Sequence, residues 1–268
     1  MFMFLPYNYE ARCELMPDTQ TVQTTVGGLR AVELSFRPTL DIQGGTNIGF
    51  ISRTHLNTPG LGILMPEVYR PVADSSGLSG ELFELELMQL MEAVKGLTES
   101  SVIFKWVSIR IPIGVLKDGG SAEQADKMCQ KYAVATNEIA FVVPPEVLLD
   151  TSEDVVKGIS RLRRHGYHMI LPNFGDNGCP FLKLSELEVD YAFIAPSVIA
   201  QVAQKDRTDK AVEGIIGYIK SMGVEPVADG VKNSTQAETL YGLGCNYCAG
   251  PLPGDYIALD EILDRSHN

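Results

Sequence analysis

The sequence has few of the features that are typical of disulfide-bonded, membrane-spanning or secreted proteins. Its five cysteines are irregularly spaced along 268 residues, which argues against a disulfide framework and for a reducing compartment. No apolar run approaches the ~20 residues that would span a bilayer. The apolar start, Met1–Tyr9, has no basic residue and contains Pro6, so it is not typical of a secretory signal.

Positive charge is also scarce. The chain has 22 Lys and Arg residues against 34 Asp and Glu residues, a formal net charge of −12. An acidic surface repels the phosphates of nucleic acids and of anionic lipid headgroups. We therefore expect no nucleic-acid partner, no membrane association and a cytoplasmic location.

Short apolar runs alternate with amphipathic helical stretches from about residue 34 onward. Such runs are typical of barrel strands that are buried on both faces. The runs are Leu34–Leu40, Asn47–Leu56, Phe104–Ile111, Ile139–Val143, His168–Leu171, Tyr191–Ile194, Glu225–Ala228 and Asn246–Ala249. Between them, Ser152–Gly166 and Asp209–Gly223 each place apolar residues on one helical face.

The order of these elements predicts an α/β fold, a modified (β/α)8 TIM-like barrel. The first two runs are joined by the short, glycine-containing segment Asp41–Thr46, which indicates a hairpin. A hairpin makes one barrel strand antiparallel. We expect residues 1–30 to form an N-terminal extension and residues 31–268 to form a single barrel domain.

Five segments of the C-terminal half follow one another in order: Ile159–Gly166, Ile170–Gly175, Val189–Ile199, Val227–Lys232 and Leu243–Gly250. They resemble, in the same order, the motifs of the EAL family, which read LRALG, LALDDFGTG, VDxLKIDRSFV, VVAEGVE and LGCDYxQG. Upstream, Phe36–Leu40 resembles YQPIV and Pro66–Leu78 resembles PxxFIPLAEESGL. The resemblance covers about residues 33–255 and implies an EAL-type barrel in cyclic di-GMP signalling.

The resemblance also implies a chemistry, the hydrolysis of cyclic di-GMP assisted by two Mg²⁺ or Mn²⁺ ions on strand-end carboxylates and an Asn. The EAL tripeptide itself reads Ile51-Ser52-Arg53 here. The positions implied for metal ligands and catalytic groups hold Ile51, Arg110, Val142, Pro145, Pro172, Asn173, Phe193, Asp229 and Ala249. Asp229 alone keeps a carboxylate. Because the other side chains are poor ligands for hard cations, the sequence predicts no catalysis and no metal cofactor.

The leading hypothesis from sequence is therefore a degenerate EAL domain, a bacterial regulatory protein that lacks catalysis and binds an unknown protein partner. A homodimer stays open. The alternative is a receptor that holds cyclic di-GMP or another nucleotide without cleaving it. Its candidate ligand-binding residues are Arg37, Arg53, Arg110 and Asp229. A second alternative is a weak cyclic di-GMP phosphodiesterase.

Other chemistry-bearing residues have simpler interpretations. Cys245 and Cys248 form a single CxxC, for which buried thiols are expected and a redox pair is the alternative. His165 and His168 flank the turn into a strand, and a Cys–His nucleophile pair would need a cysteine beside one of them. Phe193, in place of the catalytic Lys that the resemblance implies, is predicted to pack against Val142 or its neighbours and fill the barrel mouth.

Overall fold

The computed structural model describes residues 25–26, 29–149, 152–176, 179–204 and 206–266. Most of the predicted extension, residues 1–30, lies outside the described residues. The strands are β1 Thr25–Val26, β2 Leu29–Arg30, β3 Val32–Asp41, β4 Asn47–Thr58, β5 Gly62–Leu64, β6 Trp106–Arg110, β7 Ile139–Val142, β8 His168–Phe174, β9 Tyr191–Ile194, β10 Glu225–Asp229, β11 Tyr247–Ala249 and β12 Ile257–Ala258. All eight predicted strands are present.

Eight of these strands close into a barrel. Their order is β3-β11-β10-β9-β8-β7-β6-β4, and β4 pairs back onto β3. β3 runs antiparallel to both of its barrel neighbours, whereas the other barrel strands pair in parallel. The turn between β3 and β4 is closed by a 2.9 Å hydrogen bond from the Asp41 amide to the Thr46 carbonyl. The predicted modified barrel with one antiparallel strand is therefore confirmed.

The helices surround this barrel. They are α1 Pro66–Ser76, α2 Ser79–Glu99, α3 Ile113–Lys117, α4 Ser121–Tyr132, α5 Glu153–Arg164, α6 Pro196–Ile199, α7 Asp206–Ser221, α8 Ser234–Gly242 and α9 Leu259–Ser266. The two helices predicted from periodicity are α5 and α7. α5 ends before Gly166, which takes the left-handed φ of 95° that a residue without Cβ adopts at little cost. Among the described residues, none of the helices combines the length and apolarity needed to cross a bilayer.

Two apolar cores hold the fold together. The larger one lies between the strands and the helices, and a smaller one fills the inside of the barrel. The inner one, here named the lumen cluster, consists of Ile48, Trp106, Ala140, Ile170, Phe193, Val227 and Ala249. Each of these residues comes from a different strand, so the inside of the barrel is packed with side chains and is not a channel.

A bulge and a glycine make room for Trp106 inside the barrel. The pairing of β3 with β4 shifts register between Thr39 and Leu40, so Ile48 has no partner opposite it. The next residue is Gly49, where a Cβ would lie 2.6 Å from the Trp106 ring. Only glycine leaves enough space at this position for the indole.

Candidate functional site

The mouth of the barrel is the face at which the parallel strands end. In barrels of this type, ligands bind at that face because the loops after the strands converge there. Here Arg110 ends β6, Val142 ends β7 and Asp229 ends β10. The side chain of Arg37 on β3 reaches the same end of the barrel, since it contacts Asp229 at the end of β10.

A charged pair joins two sides of this mouth. One guanidinium nitrogen of Arg37 lies 2.7 Å from a carboxylate oxygen of Asp229, and the two side chains are only 15% and 20% exposed. The Nε atom of Arg37 is buried and has no hydrogen-bond partner among the residues that the structure describes. A charge-assisted hydrogen bond of this length, partly shielded from water, fixes both side chains. The carboxylate of Asp229 is thus already engaged by a cation.

Tyr256 and Arg53 extend this pair. The guanidinium carbons of Arg37 and Arg53 lie 5.1 Å and 5.7 Å from the centre of the Tyr256 ring, within the range of cation–π contacts. Arg53 also donates a 3.0 Å hydrogen bond to Glu67, in the first turn of α1. These residues, with Asp229, are named the arginine cluster below.

Two pKa shifts mark the environment of the arginine cluster. Burial raises the pKa of the Tyr256 hydroxyl, although Arg37 opposes the shift. A hydrogen bond from the residue's own backbone amide lowers the pKa of Glu67, and Arg53 adds to that effect. The site therefore presents a neutral phenol and two cations that carboxylates hold in place.

Arg110 lies apart from the arginine cluster. Its nearest charged partner is Glu146, at 3.7 Å, and the two side chains are 39% and 64% exposed. A pair this long and this exposed contributes little to stability. Of the four candidate ligand-binding residues, the structure brings Arg37, Arg53 and Asp229 together and leaves Arg110 in a separate pair.

The positions implied for the metal site are mostly apolar and packed. Phe193 is 3% exposed and Ala249 is fully buried, both within the lumen cluster, and Ile51 and Val142 pack against it. The Phe193 ring meets Trp106 edge-on with centroids 6.4 Å apart. Phe193 and Val142 therefore take part in the same apolar packing inside the barrel, and the ring contact of Phe193 is with Trp106.

The remaining positions implied for the metal site offer few side-chain atoms that could bind a metal ion. Pro145 and Pro172 are half-buried and have no donor side chain, and Asn173 is exposed with a left-handed φ of 54°. Within the described ranges of the chain, no three His, Cys, Asp or Glu side chains are grouped closely enough to hold a metal ion. The side chains at the implied positions do not fit a pair of hard divalent cations.

The cysteines and histidines singled out in the sequence occupy structural positions. Cys245 and Cys248 are buried free thiols, and burial raises their pKa values to about 12 and about 11. Such thiols are poor nucleophiles at neutral pH. His165 Nδ1 lies 2.7 Å from an Asp126 oxygen, and the His168 ring lies 5.8 Å from the Tyr191 ring.

His168 should make stability depend on pH. Burial lowers the pKa of its imidazole below the ordinary 6.5, although Asp190 opposes the shift. Since the unfolded chain then takes up a proton more readily, stability is retained above about pH 6.5 and lost as the pH falls towards the folded-state pKa. We expect melting temperatures at pH 7.5, 6.5 and 5.5 to fall less in His168→Gln than in the wild type. Parallel curves for the two proteins would contradict this role.

Sequence reasoning missed two members of the arginine cluster. Tyr256 lies in the segment between β11 and β12, and Glu67 was treated only as part of a helical motif. A tyrosine in a loop carries no signal that it will lie over two arginines from other strands. The sequence did indicate the position of Glu67, because an acidic residue just after a proline such as Pro66 is typical of the first turn of a helix.

A closed barrel of eight strands, with one antiparallel strand and charged side chains gathered at its mouth, defines the structural class. The EAL domain family matches residues 20–255. The chain belongs to the EAL domain family, as its motifs indicated.

Several relatives and solved structures are similar to this chain. The cyclic di-GMP phosphodiesterase RocR of Pseudomonas aeruginosa is 21% identical, over 91% of this chain and 64% of that protein. The cyclic di-GMP phosphodiesterase PdeL of Escherichia coli is 21% identical, over 85% of this chain and 64% of that protein. An uncharacterised Mycobacterium tuberculosis protein is 22% identical over 84% of this chain, but over only 37% of its own length. The chain thus spans between about a third and two thirds of these relatives.

Solved structures agree in fold. The EAL enzyme Bd1971, bound to cAMP and cyclic di-GMP, has a TM-score of 0.79 at 18% identity, over 88% of this chain and 65% of that chain. The phosphodiesterase PaMucR in complex with cyclic di-GMP has a TM-score of 0.76 at 18% identity, over 87% and 94% of the two chains. At this level of identity the likeness establishes the barrel fold.

The expectation that this chain is not an enzyme is wrong as a conclusion from sequence. It belongs to a family whose matched members include named cyclic di-GMP phosphodiesterases. The expectation rested on matching family motif positions to this chain residue by residue, whereas a relative such as RocR is only 21% identical to it. At that identity the matching can be displaced by one residue. A displacement of one residue would put Glu146, and not Pro145, at the position implied for a catalytic group. Replaced side chains in one register are therefore no proof that activity is lost.

Proposed function

We propose that this EAL domain binds cyclic di-GMP at the mouth of its barrel, with Arg53 contacting a phosphate and Arg37 adding positive potential beside it. The observation that carries the proposal is the arginine cluster, which gathers two guanidinium groups from adjacent strands over one tyrosine. Two structural neighbours, Bd1971 and PaMucR, are complexes with cyclic di-GMP, which supports the same ligand here.

Guanidinium groups suit this ligand because their planar array of N–H donors matches the oxygens of a phosphate. Arg53 is the more accessible of the two, with a side chain 37% exposed. Its partner Glu67 is 69% exposed, so a phosphate can compete for Arg53 at small cost. Arg37 is 15% exposed and held by Asp229, so its part is to keep the cluster in place and add positive potential.

The proposal concerns binding of the nucleotide. Its cleavage, the activity named for the relatives, is tested separately because binding and cleavage require different groups. In the part of the mouth that the structure describes, Asp229 and Glu146 are carboxylates at or beside the implied positions. The decisive experiment is a calorimetric titration of the protein with cyclic di-GMP, with and without Mg²⁺. Chromatography of the same samples for linear pGpG then shows whether the bound nucleotide is cleaved.

Arg53→Gln is expected to weaken the binding of cyclic di-GMP by about tenfold or more. A charge-assisted hydrogen bond contributes about 1.5–3 kcal/mol, and a tenfold change in affinity corresponds to about 1.4 kcal/mol. Isothermal titration calorimetry at one fixed salt concentration measures the change. Arg265→Gln is the matched control, since Arg265 is a 71% exposed arginine on α9.

Equal affinity of wild type and Arg53→Gln would contradict the assignment of the phosphates to the arginine cluster. No saturable binding by the wild type would contradict the ligand itself. The boundary at residue 30, a cytoplasmic location, a protein partner and a homodimer stay predictions.

A further inference from the structure

A groove of about 690 Å³ lies beside the mouth, between helices α1 and α2 on one side and α3 and α4 on the other. This volume falls within the range of ligand-binding pockets. Arg110, Pro112, Pro144 and Glu146, which follow or end strands β6 and β7, form the end nearest the mouth. Arg37, Arg53 and Tyr256 are not among the groove's lining residues, so this groove is distinct from the arginine cluster.

The walls of the groove are apolar, although the groove is open to solvent. The larger apolar side chains come from α2, α3 and α4 and are Leu82, Phe83, Leu87, Ile113, Val115 and Met128. Four of them, Leu82, Ile113, Val115 and Met128, are only half-buried. Covering them would remove further apolar surface from water, which favours a ligand that presents apolar side chains of its own.

The charges around these walls are predominantly negative. The lining includes two arginines, and the structure pairs each with a carboxylate. Arg70 lies 3.1 Å from the fully buried Glu86, and Arg110 lies 3.7 Å from Glu146. The further carboxylates Asp74, Glu84 and Asp118 lie on exposed residues of the same lining. The residues that line the groove therefore combine apolar walls with an excess of negative charge.

We propose that this groove is a docking site for a basic amphipathic peptide segment of a partner protein. Such a segment places apolar side chains against the helices and Lys or Arg side chains beside the three carboxylates. An amphipathic helix laid in an apolar groove is a recurring mode of peptide recognition. The net charge of −12 adds long-range attraction for a basic partner, which raises the rate of encounter.

The occupant is inferred from charge complementarity. An acidic segment would meet repulsion from Asp74, Glu84 and Asp118, since Arg70 and Arg110 are already paired. A purely polar basic segment would leave the apolar walls exposed to water. The ligand chemistry that satisfies both features has cationic and apolar side chains in one short stretch.

The test uses three fluorescent 18-residue helical peptides and measures binding by fluorescence anisotropy. The first has Lys and Leu on opposite faces, the second replaces Leu by Ser at the same charge, and the third replaces Lys by Glu. We expect saturable binding of the first peptide alone, weakened by raised salt. Each peptide is titrated against the full chain, and against Glu84→Lys and Glu213→Lys.

The two variants form a matched pair. Glu84 on α2 and Glu213 on α7 are both exposed glutamates on helices, but only Glu84 lines the groove. α7 packs against β10, which lies three strands beyond β7 in the barrel. We expect Glu84→Lys to weaken binding of the Lys–Leu peptide at least fivefold and Glu213→Lys to change it less than twofold. Circular dichroism melts confirm that both variants fold.

Three outcomes would overturn the proposal. If both variants weaken binding equally, the attraction is general to an acidic surface and the groove has no special role. If the Lys–Ser peptide binds as well as the Lys–Leu peptide, the apolar walls do not take part. If the Lys–Leu peptide does not bind at all, the groove does not recognise this chemistry. The calorimetric test of cyclic di-GMP binding is independent of all three.

Discussion

Replacing Phe193 by lysine should lower the stability of the protein by about 2–4 kcal/mol. Phe193 is 3% exposed in the lumen cluster and packs against Trp106. The substitution removes a buried aromatic side chain and introduces an unpaired charge where water is excluded. In a chain of this size the melting temperature should fall by roughly 5–15 °C, as measured by circular dichroism.

Phe193→Leu is the matched control for this experiment. It keeps an apolar side chain of similar character in the lumen cluster, so it should cost less than about 1.5–2 kcal/mol. If Phe193→Lys melted at the wild-type temperature, the lysine would have to reach water through an open mouth. That outcome would contradict the tight packing of the lumen.

Gly158→Ala should destabilise the protein although alanine is the better helix former. Gly158 lies within α5, where exchange of an exposed glycine for alanine gains roughly 1 kcal/mol. At this position a Cβ would lie 2.0 Å from the backbone carbonyl oxygen of Leu116 in α3. Because backbone cannot rotate away as a side chain can, α3 and α5 must move apart, and we expect a loss of about 1–3 kcal/mol.

Gly214→Ala on α7 is expected to change the stability of the protein in the opposite direction. Apart from its chain neighbours and its own helix backbone, no atom of the described residues lies within 4 Å of the position that its Cβ would take, and the residue is exposed. We expect this variant to be more stable than the wild type by about 0.4–1 kcal/mol. Chemical denaturation of both variants measures the two changes side by side. A stabilised Gly158→Ala protein would show that α3 and α5 are not in close contact.

The barrel could be predicted from sequence because its signals are local. Runs such as Tyr191–Ile194 are short and apolar, and the helix α5 has its apolar residues on one face and Gly166 just beyond its end. The short strands β5 and β12 were missed. Each has only two or three residues, too few for a periodic pattern to stand out.

The candidate site was predicted only in part. The side chains of Arg37, Arg53 and Asp229 were identified as candidates from their places in the motifs, and the structure joins them. Arg110 was placed in the same set, but it pairs with Glu146 instead. The direction of a long, flexible side chain depends on which partner it meets across the barrel, and motif positions do not contain that information.

The sequence by itself determined the succession of eight strands along the chain, the single antiparallel strand and membership of the EAL family, because hydrophobic patterns and ordered motifs are local features of the chain. Tertiary structure alone decided where charge and apolar surface meet. The approach of Tyr256 to Arg37 and the groove between α1–α2 and α3–α4 both join residues far apart in sequence. Their chemistry arises from the closure of the barrel, which brings those residues within contact distance.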